Sequence, residues 1–215
     1  MKHLNRRNVF ATIALAVTMG LAACGAGSGG SGRSAIERDD DMAIGNPDAA
    51  VTIVEFASLT CPHCATFHKG IYKDIKSKYI ETGKVRFVFR QFPTPPVRLA
   101  VGGEAIARCK ADVDKYFAML DVLFEKQMYW VRSQNPGQAL RELAATAGIS
   151  PEEFEACLAD PQNINRIQEV SKHASDTWGI NSTPSFVING ELAQNMRSFD
   201  DFAKIIDPIL AASDE

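Results

Sequence analysis

The stretch VTIVEFASLTCPHCATF, Val51 to Phe67, leads from a run of β-branched and apolar residues straight into a Cys-x-x-Cys pair, Cys61 and Cys64. VTIVEF has the composition of a buried strand. Pro62 suits the first turn of a helix, which makes Cys61 the N-cap and places Cys64 in the third helical position. A strand followed at once by a helix bearing the pair decides the fold class. It does not yet decide the chemistry, because Cys-x-x-Cys also serves zinc sites, haem attachment and structural staples.

The compartment is written at the N-terminus. Lys2, Arg6 and Arg7 make a positive start, and Val9 to Ala23 is uncharged and mostly apolar. That run is short of the roughly 20 residues a transmembrane helix needs, and residues 1–23 read as an export signal. LAAC, Leu21 to Cys24, followed by a Gly/Ser-rich stretch, resembles a bacterial lipobox. Cys24 is then the expected lipidation site, with residues 24–43 as a flexible tether and several acyl chains as a stable membrane anchor. Gly25, standing where inner-membrane retention expects an aspartate, gives a weak preference for the outer membrane.

The chain carries a formal charge of −3, and loss of residues 1–23 removes three positive charges and no negative one, leaving −6. An acidic domain without a basic block is a poor nucleic-acid binder, so no nucleic-acid partner is expected. With Cys24 acylated, four cysteines remain in an oxidising compartment, an even set that implies two disulfides. One is Cys61 with Cys64, and the other would be Cys109 with Cys157.

After Cys61, apolar residues at Phe67, Ile71, Ile75 and Tyr79 keep helical spacing until Gly83. VRFVFRQF, Val85 to Phe92, is a second strand cut off by Pro93, Pro95 and Pro96. This order implies a parallel pair with a right-handed crossover. Helical patterns follow: one stripe from Ile106 to Phe124, another through Leu140 and Leu143, a third opened by Ser150, Pro151 and Glu153, and a fourth from Ile164 to Trp178, ended by Gly179. PSFVI then reads as a strand, Asn189-Gly190 as a hairpin turn, ELAQNM as its partner, and Ser198 as the cap of a last helix. The expected class is α/β, a βαβ half and a ββα half around a mixed central sheet over residues 44–215, with a helical insertion over about 97–178.

Haem attachment needs a histidine directly after the second cysteine, and Ala65 stands there. Zinc could draw on Cys61, Cys64 and His68, but a structural site usually has four ligands, no second Cys-x-x-Cys exists, and an oxidising compartment disfavours free thiolates. A staple between Cys61 and Cys64 closes too small a loop to stabilise much. A redox pair accounts for more. At the N-cap a thiolate meets free backbone N–H groups and the positive end of the helix dipole, and a protonated His63 would add a nearby charge. All three lower the pKa of Cys61, improve it as a leaving group and make its disulfide oxidising. Cys64 sits close enough to attack a mixed disulfide on Cys61.

EFASLTCPHCATF, the inserted helices, RQFP after the second strand, and TPSFVING together resemble the thioredoxin-fold DsbA family, in the branch with Thr before the proline. The likeness runs from Gly45 to Leu210. It implies that Cys61 is the nucleophile, Cys64 the resolving thiol and His63 the tuner. It makes Thr183-Pro184 a cis-proline loop facing Cys61, whose free backbone could pair with an extended substrate segment. Glu55, the odd residue in an apolar strand, becomes a buried acid that relays a proton to or from Cys64. The resemblance also implies a monomer with no cofactor beyond the redox-active disulfide and no metal. Its clients would be reduced exported proteins, and a DsbB-like membrane partner would restore the disulfide.

The expected activity is disulfide donation in the bacterial periplasm. Its rivals are a reductase or isomerase, which commonly also carries Thr before the cis-proline, and a metal-binding or chaperone-like lipoprotein of the same fold. Isomerases of this kind typically carry an added oligomerisation module, whereas here a Gly/Ser tether precedes the domain. His68 and His173 are expected on helix surfaces, and Arg90 and Gln91 have no assigned role.

Overall fold

A computed structural model of the chain describes residues 36–213. The export signal, Cys24 and most of the expected tether lie outside the described residues. Among the described residues, no helix is long and apolar enough to cross a membrane.

Five strands form one mixed sheet in the order β1-β3-β2-β4-β5. They are β1 (Met42–Ile44), β2 (Val51–Ala57), β3 (Val85–Gln91), β4 (Ser185–Ile188) and β5 (Glu191–Ala193). β2 and β3 are parallel, in register from Val51 opposite Val85 to Ala57 opposite Gln91, and the remaining pairs are antiparallel. Every residue of β2 is buried, as expected of a central strand covered on both faces. The β4–β5 turn has positive φ at both Asn189 (47°) and Gly190 (93°), as a two-residue type I′ hairpin requires.

The crossover from β2 to β3 differs from its sequence pattern. One continuous helix is expected, and the structure has α1 (Pro62–Lys69), α2 (Ile71–Ile75) and a π turn over Lys76–Ile80. The break falls at Gly70, whose φ of −124° and ψ of −93° lie outside the helical region. In the π turn the Glu81 N–H donates to the Lys76 carbonyl at 2.9 Å, and this wider turn lets the consecutive residues Tyr79 and Ile80 both be buried.

The helical block contains α3 (Val97–Arg108), α4 (Val113–Glu125), α5 (Gln127–Val131), α6 (Pro136–Thr146), α7 (Pro151–Ala159) and α8 (Pro161–Trp178). The stripe from Ile106 to Phe124 is two helices. The chain turns at Ala111, φ 49°, and Asp112 caps α4 by accepting from the Lys115 N–H at 2.9 Å. The Ser150–Glu153 capping box forms in full, an arrangement typically worth about 1 kcal/mol. Gly179 ends α8 at φ 66°. The last helix, α9 (Phe199–Ser213), brings Phe202 against Phe186 of β4 and Phe67 of α1, with ring centroids 4.9 and 5.8 Å away. Phe67 and Phe186 meet at 4.8 Å, so one aromatic cluster ties both halves of the fold behind α1.

The tether expected over 24–43 does not extend that far. Met42–Ile44 pairs with β3, and the acidic residues before it meet arginines distant in sequence. Asp41 accepts from Arg90 at 2.6 Å with both side chains buried, Glu37 accepts from Arg86 at 3.1 Å, and Asp40 accepts from Arg166 of α8 at 3.0 Å. Arg90 thereby gains a structural role.

Candidate active site

β2 delivers the chain to a tight turn, Ser58 to Thr60, that sets up Cys61. The Cys61 N–H donates to the Ser58 carbonyl at 3.0 Å. The Thr60 hydroxyl donates to the Thr94 carbonyl at 2.9 Å, and the Ser58 hydroxyl accepts from the Thr94 N–H at 3.1 Å. From the helical block, the buried Gln127 amide donates to the Leu59 and Cys61 carbonyls at 2.9 Å each. Nothing in the sequence spacing marks Gln127, because its partners lie more than sixty residues earlier.

Cys61 is the N-cap of α1, with extended backbone and Pro62 in the first turn. Both thiols of the pair are free, and their surroundings differ sharply. Cys61 is 7% exposed while Cys64 is fully buried. The hydrogen bond available from Cys64 is the largest influence on Cys61. It is opposed by burial and reinforced by the Thr183 side chain and the backbone N–H groups of Cys64 and His63, and together these bring the Cys61 thiol down from its ordinary 9.0 to about 5. As a thiol, Cys61 makes no capping bond to the first turn. The N–H groups act on the thiolate. Burial pushes Cys64 far above the ordinary thiol range, with the bond to Cys61 and the charge of Glu55 adding to the rise.

The Thr183–Pro184 peptide is cis, and the Cys61 thiol donates to the Thr183 carbonyl at 3.5 Å. Thr183 therefore faces Cys61 with two groups, a carbonyl that accepts from the thiol and a hydroxyl that supports the thiolate. His63 is exposed and lines a groove of about 650 Å³ with Pro184, Asn181, Ser182 and Arg197. The His63 backbone N–H is among the groups that lower the Cys61 pKa.

Glu55 lies fully buried in β2 between Phe89 and Phe186 of the flanking strands. His68 is not a surface residue as expected. It is 4% exposed, and its Nε2 lies 2.8 Å from Glu55 Oε2, its ring stacked on Phe124 at 4.0 Å and next to Tyr72 at 4.6 Å. The sequence did carry a clue: His68 falls four residues after Cys64 and four before Tyr72, on the inward face of the helix. Glu55 Oε1, His68 Nδ1 and the Tyr72 hydroxyl are buried without hydrogen-bond partners. Such a group typically costs about 1–3 kcal/mol, so three around one ring call for an explanation.

His173 is exposed on α8. Gln91, at the end of β3, is buried with neither amide atom paired, and nothing in the structure explains it. Cys109, just after α3, and Cys157 in α7 are joined by a disulfide across 48 residues, with Cα atoms 5.5 Å apart. Among the described residues, no group of three or more His, Cys, Asp or Glu side chains is placed to hold a metal ion.

Residues 37–208 match the profile of a family described as thioredoxin. The chain is 31% identical over 172 residues to the disulfide bond formation protein D of Bacillus subtilis, covering 76% of this chain and 74% of that protein. It is 30% identical over 175 residues to a Rickettsia bellii protein named as a candidate protein-disulfide oxidoreductase, covering 81% of this chain and 66% of that one. It spans 62–66% of the length of such Rickettsia relatives. Among solved structures, Wolbachia pipientis alpha-DsbA1 superposes with a TM-score of 0.75 at 26% identity, covering 82% of this chain and 94% of that one. Oxidised BdbD of Bacillus subtilis superposes with a TM-score of 0.70 at 27% identity, covering 84% and 97%.

Proposed function

This chain belongs to the thioredoxin family, and we propose that it is a thiol:disulfide oxidoreductase that donates the Cys61–Cys64 disulfide to cysteines of exported proteins. The observation that carries this reading is the asymmetry of the two thiols, one drawn down to about 5 at the helix start and the other pushed high by burial.

In the oxidising direction a client thiolate attacks Cys61 Sγ, the more exposed sulfur. The Cys61–Cys64 bond breaks, Cys64 keeps the electron pair and takes up a proton, and Cys61 is left in a mixed disulfide with the client. A second client thiolate then attacks the client's own sulfur, and Cys61 leaves as a thiolate. Two client thiols have become a disulfide, and the protein's disulfide a dithiol. The stability of the departing Cys61 thiolate drives the exchange in this direction.

The groove beside His63 and Pro184 supports binding of an extended client segment along the Thr183 loop. Thr before the cis-proline recurs among reductases and isomerases, but in this site its hydroxyl lowers the Cys61 pKa and so acts with the oxidising direction. The resemblance supports reoxidation by a DsbB-like membrane partner. The N-terminal sequence supports export to the periplasm and lipid anchoring at Cys24, with the outer membrane preferred. Oxidised protein should speed disulfide formation in a reduced model substrate and repair a scrambled one poorly. Fast repair with slow oxidation would replace this reading with an isomerase.

A further inference from the structure

Exchange at Cys64 moves a proton into or out of a fully buried place. Resting on the oxidoreductase reading, we propose that His68 is the relay that exchanges this proton with Glu55, and that the cavity between α1, α2 and α4 is its route to solvent, on a face the client does not cover.

His68 Nε2 is already 2.8 Å from Glu55 Oε2, and Glu55 is close enough for its charge to act on Cys64. The other ring nitrogen, Nδ1, is buried without a partner, as is the Tyr72 hydroxyl beside it. Both residues line a cavity of about 480 Å³ that also reaches Phe124, the ring on which His68 stacks. This cavity shares no lining residue with the groove at His63 and Pro184. A client seated over Cys61 therefore leaves the back entrance open. The charged groups around the entrance are Lys69, Lys73, Lys76 and Lys126 with Asp121 and Glu125, and Lys76 pairs with Asp121 at 3.8 Å. Facing His68 from the protein interior, the titratable groups are Glu55 and Tyr72.

A neutral imidazole accepts a proton at one nitrogen and releases one from the other, so it can pass a proton through without leaving its place. When the client thiolate breaks the Cys61–Cys64 bond, Cys64 takes its proton from Glu55. Glu55 regains one from His68 Nε2, and His68 Nδ1 takes one from water in the cavity. On reoxidation each transfer reverses, and Cys64, once deprotonated, attacks Cys61 Sγ and expels the partner's thiolate. Nothing but protons and the sulfur–sulfur bonds among Cys64, Cys61 and the client or partner changes. The charge of Glu55 reaches the reacting sulfur, and His68 acts through Glu55.

The test follows closure of a Cys61–glutathione mixed disulfide in the full chain, read as released glutathione. His68→Gln keeps an N–H for Glu55 but cannot shuttle. It should slow closure on the order of ten-fold near neutral pH and flatten its pH profile, with Cys61 alkylated at the parental rate. In His68→Ala, imidazole in the buffer should restore closure increasingly as pH rises through imidazole's own titration. If either variant fails to fold, the ring-nitrogen NMR signals of His68 in the parent should shift between the disulfide and dithiol forms. Parental closure by folded His68→Gln from about pH 5 to about pH 8, no rescue by imidazole, or unmoved His68 signals would each overturn the relay alone. A parent whose disulfide does not exchange with glutathione would overturn the oxidoreductase reading and the relay with it.

Discussion

Cys109 and Cys157 join two helices of the inserted block across 48 residues, whereas Cys61 and Cys64 are separated by two residues at the start of α1. The long bond removes much of the freedom of the unfolded chain. The short one removes almost none, so its formation and rupture leave the fold intact. The short pair has unequal sulfurs, one held by Thr183 and backbone N–H groups and the other buried beside Glu55. A disulfide that stabilises the fold and one that is exchanged, as proposed for Cys61 and Cys64, thus call for opposite designs.

That division can be broken from either side. Cys61→Ser should abolish exchange, by on the order of a thousand-fold or more, and leave the fold and the Cys109–Cys157 disulfide intact. Replacing both Cys109 and Cys157 by Ala should cost up to about 4 kcal/mol of stability, the chain-entropy figure for a loop of this length, while the folded variant exchanges disulfides at the parental rate. A double variant that kept its stability but lost exchange would mean that the helical block sets the chemistry.

Gln127 sharpens the same point, because it is where the block does touch the site. Gln127→Leu should cost about 2 kcal/mol by leaving the Leu59 carbonyl unpaired and that of Cys61 with one donor fewer, and should slow exchange modestly. Unchanged denaturant unfolding would show that the turn is held by Ser58, Thr60 and Thr94 alone. Smaller still, Thr183→Val keeps the carbonyl and removes the hydroxyl. The Cys61 titration should then rise by about one unit, and no rise would assign the depression to Cys64 and the backbone alone.

Much of this was legible in the sequence. VTIVEF, VRFVFRQF and PSFVI give the three central strands because each is a short β-branched or aromatic run bounded by turn residues. Pro62 after Cys61 marks the N-cap, and Asn189-Gly190 marks the hairpin. What was hidden depends on partners far along the chain. Asp41 looks solvated until it meets Arg90 of β3, and Gln127 looks like any surface amide until it meets Leu59 and Cys61. The break at Gly70 and the π turn after Ile75 leave the apolar spacing nearly intact, so periodicity alone passes over them. His68 is the instructive case. Its spacing from Cys64 and Tyr72 places it inward, but only the neighbouring strand shows the carboxylate it meets.

The central claim, that Cys61 is a stabilised thiolate and Cys64 is not, is tested most directly by the pH titration of thiolate ultraviolet absorbance in the reduced protein, run beside thermal unfolding. A pKa depressed by folding contributes stability that is full above the unfolded value of 9.0, declines as pH falls, and is gone once pH drops through the folded value of about 5. The disulfide form has no such group. One thiolate should therefore titrate near pH 5, with none more until pH passes the ordinary thiol range. Over the same window, from 9.0 down to about 5, the dithiol form should lose stability relative to the disulfide form. A single transition near 9.0, with the stability difference flat across that window, would contradict the account.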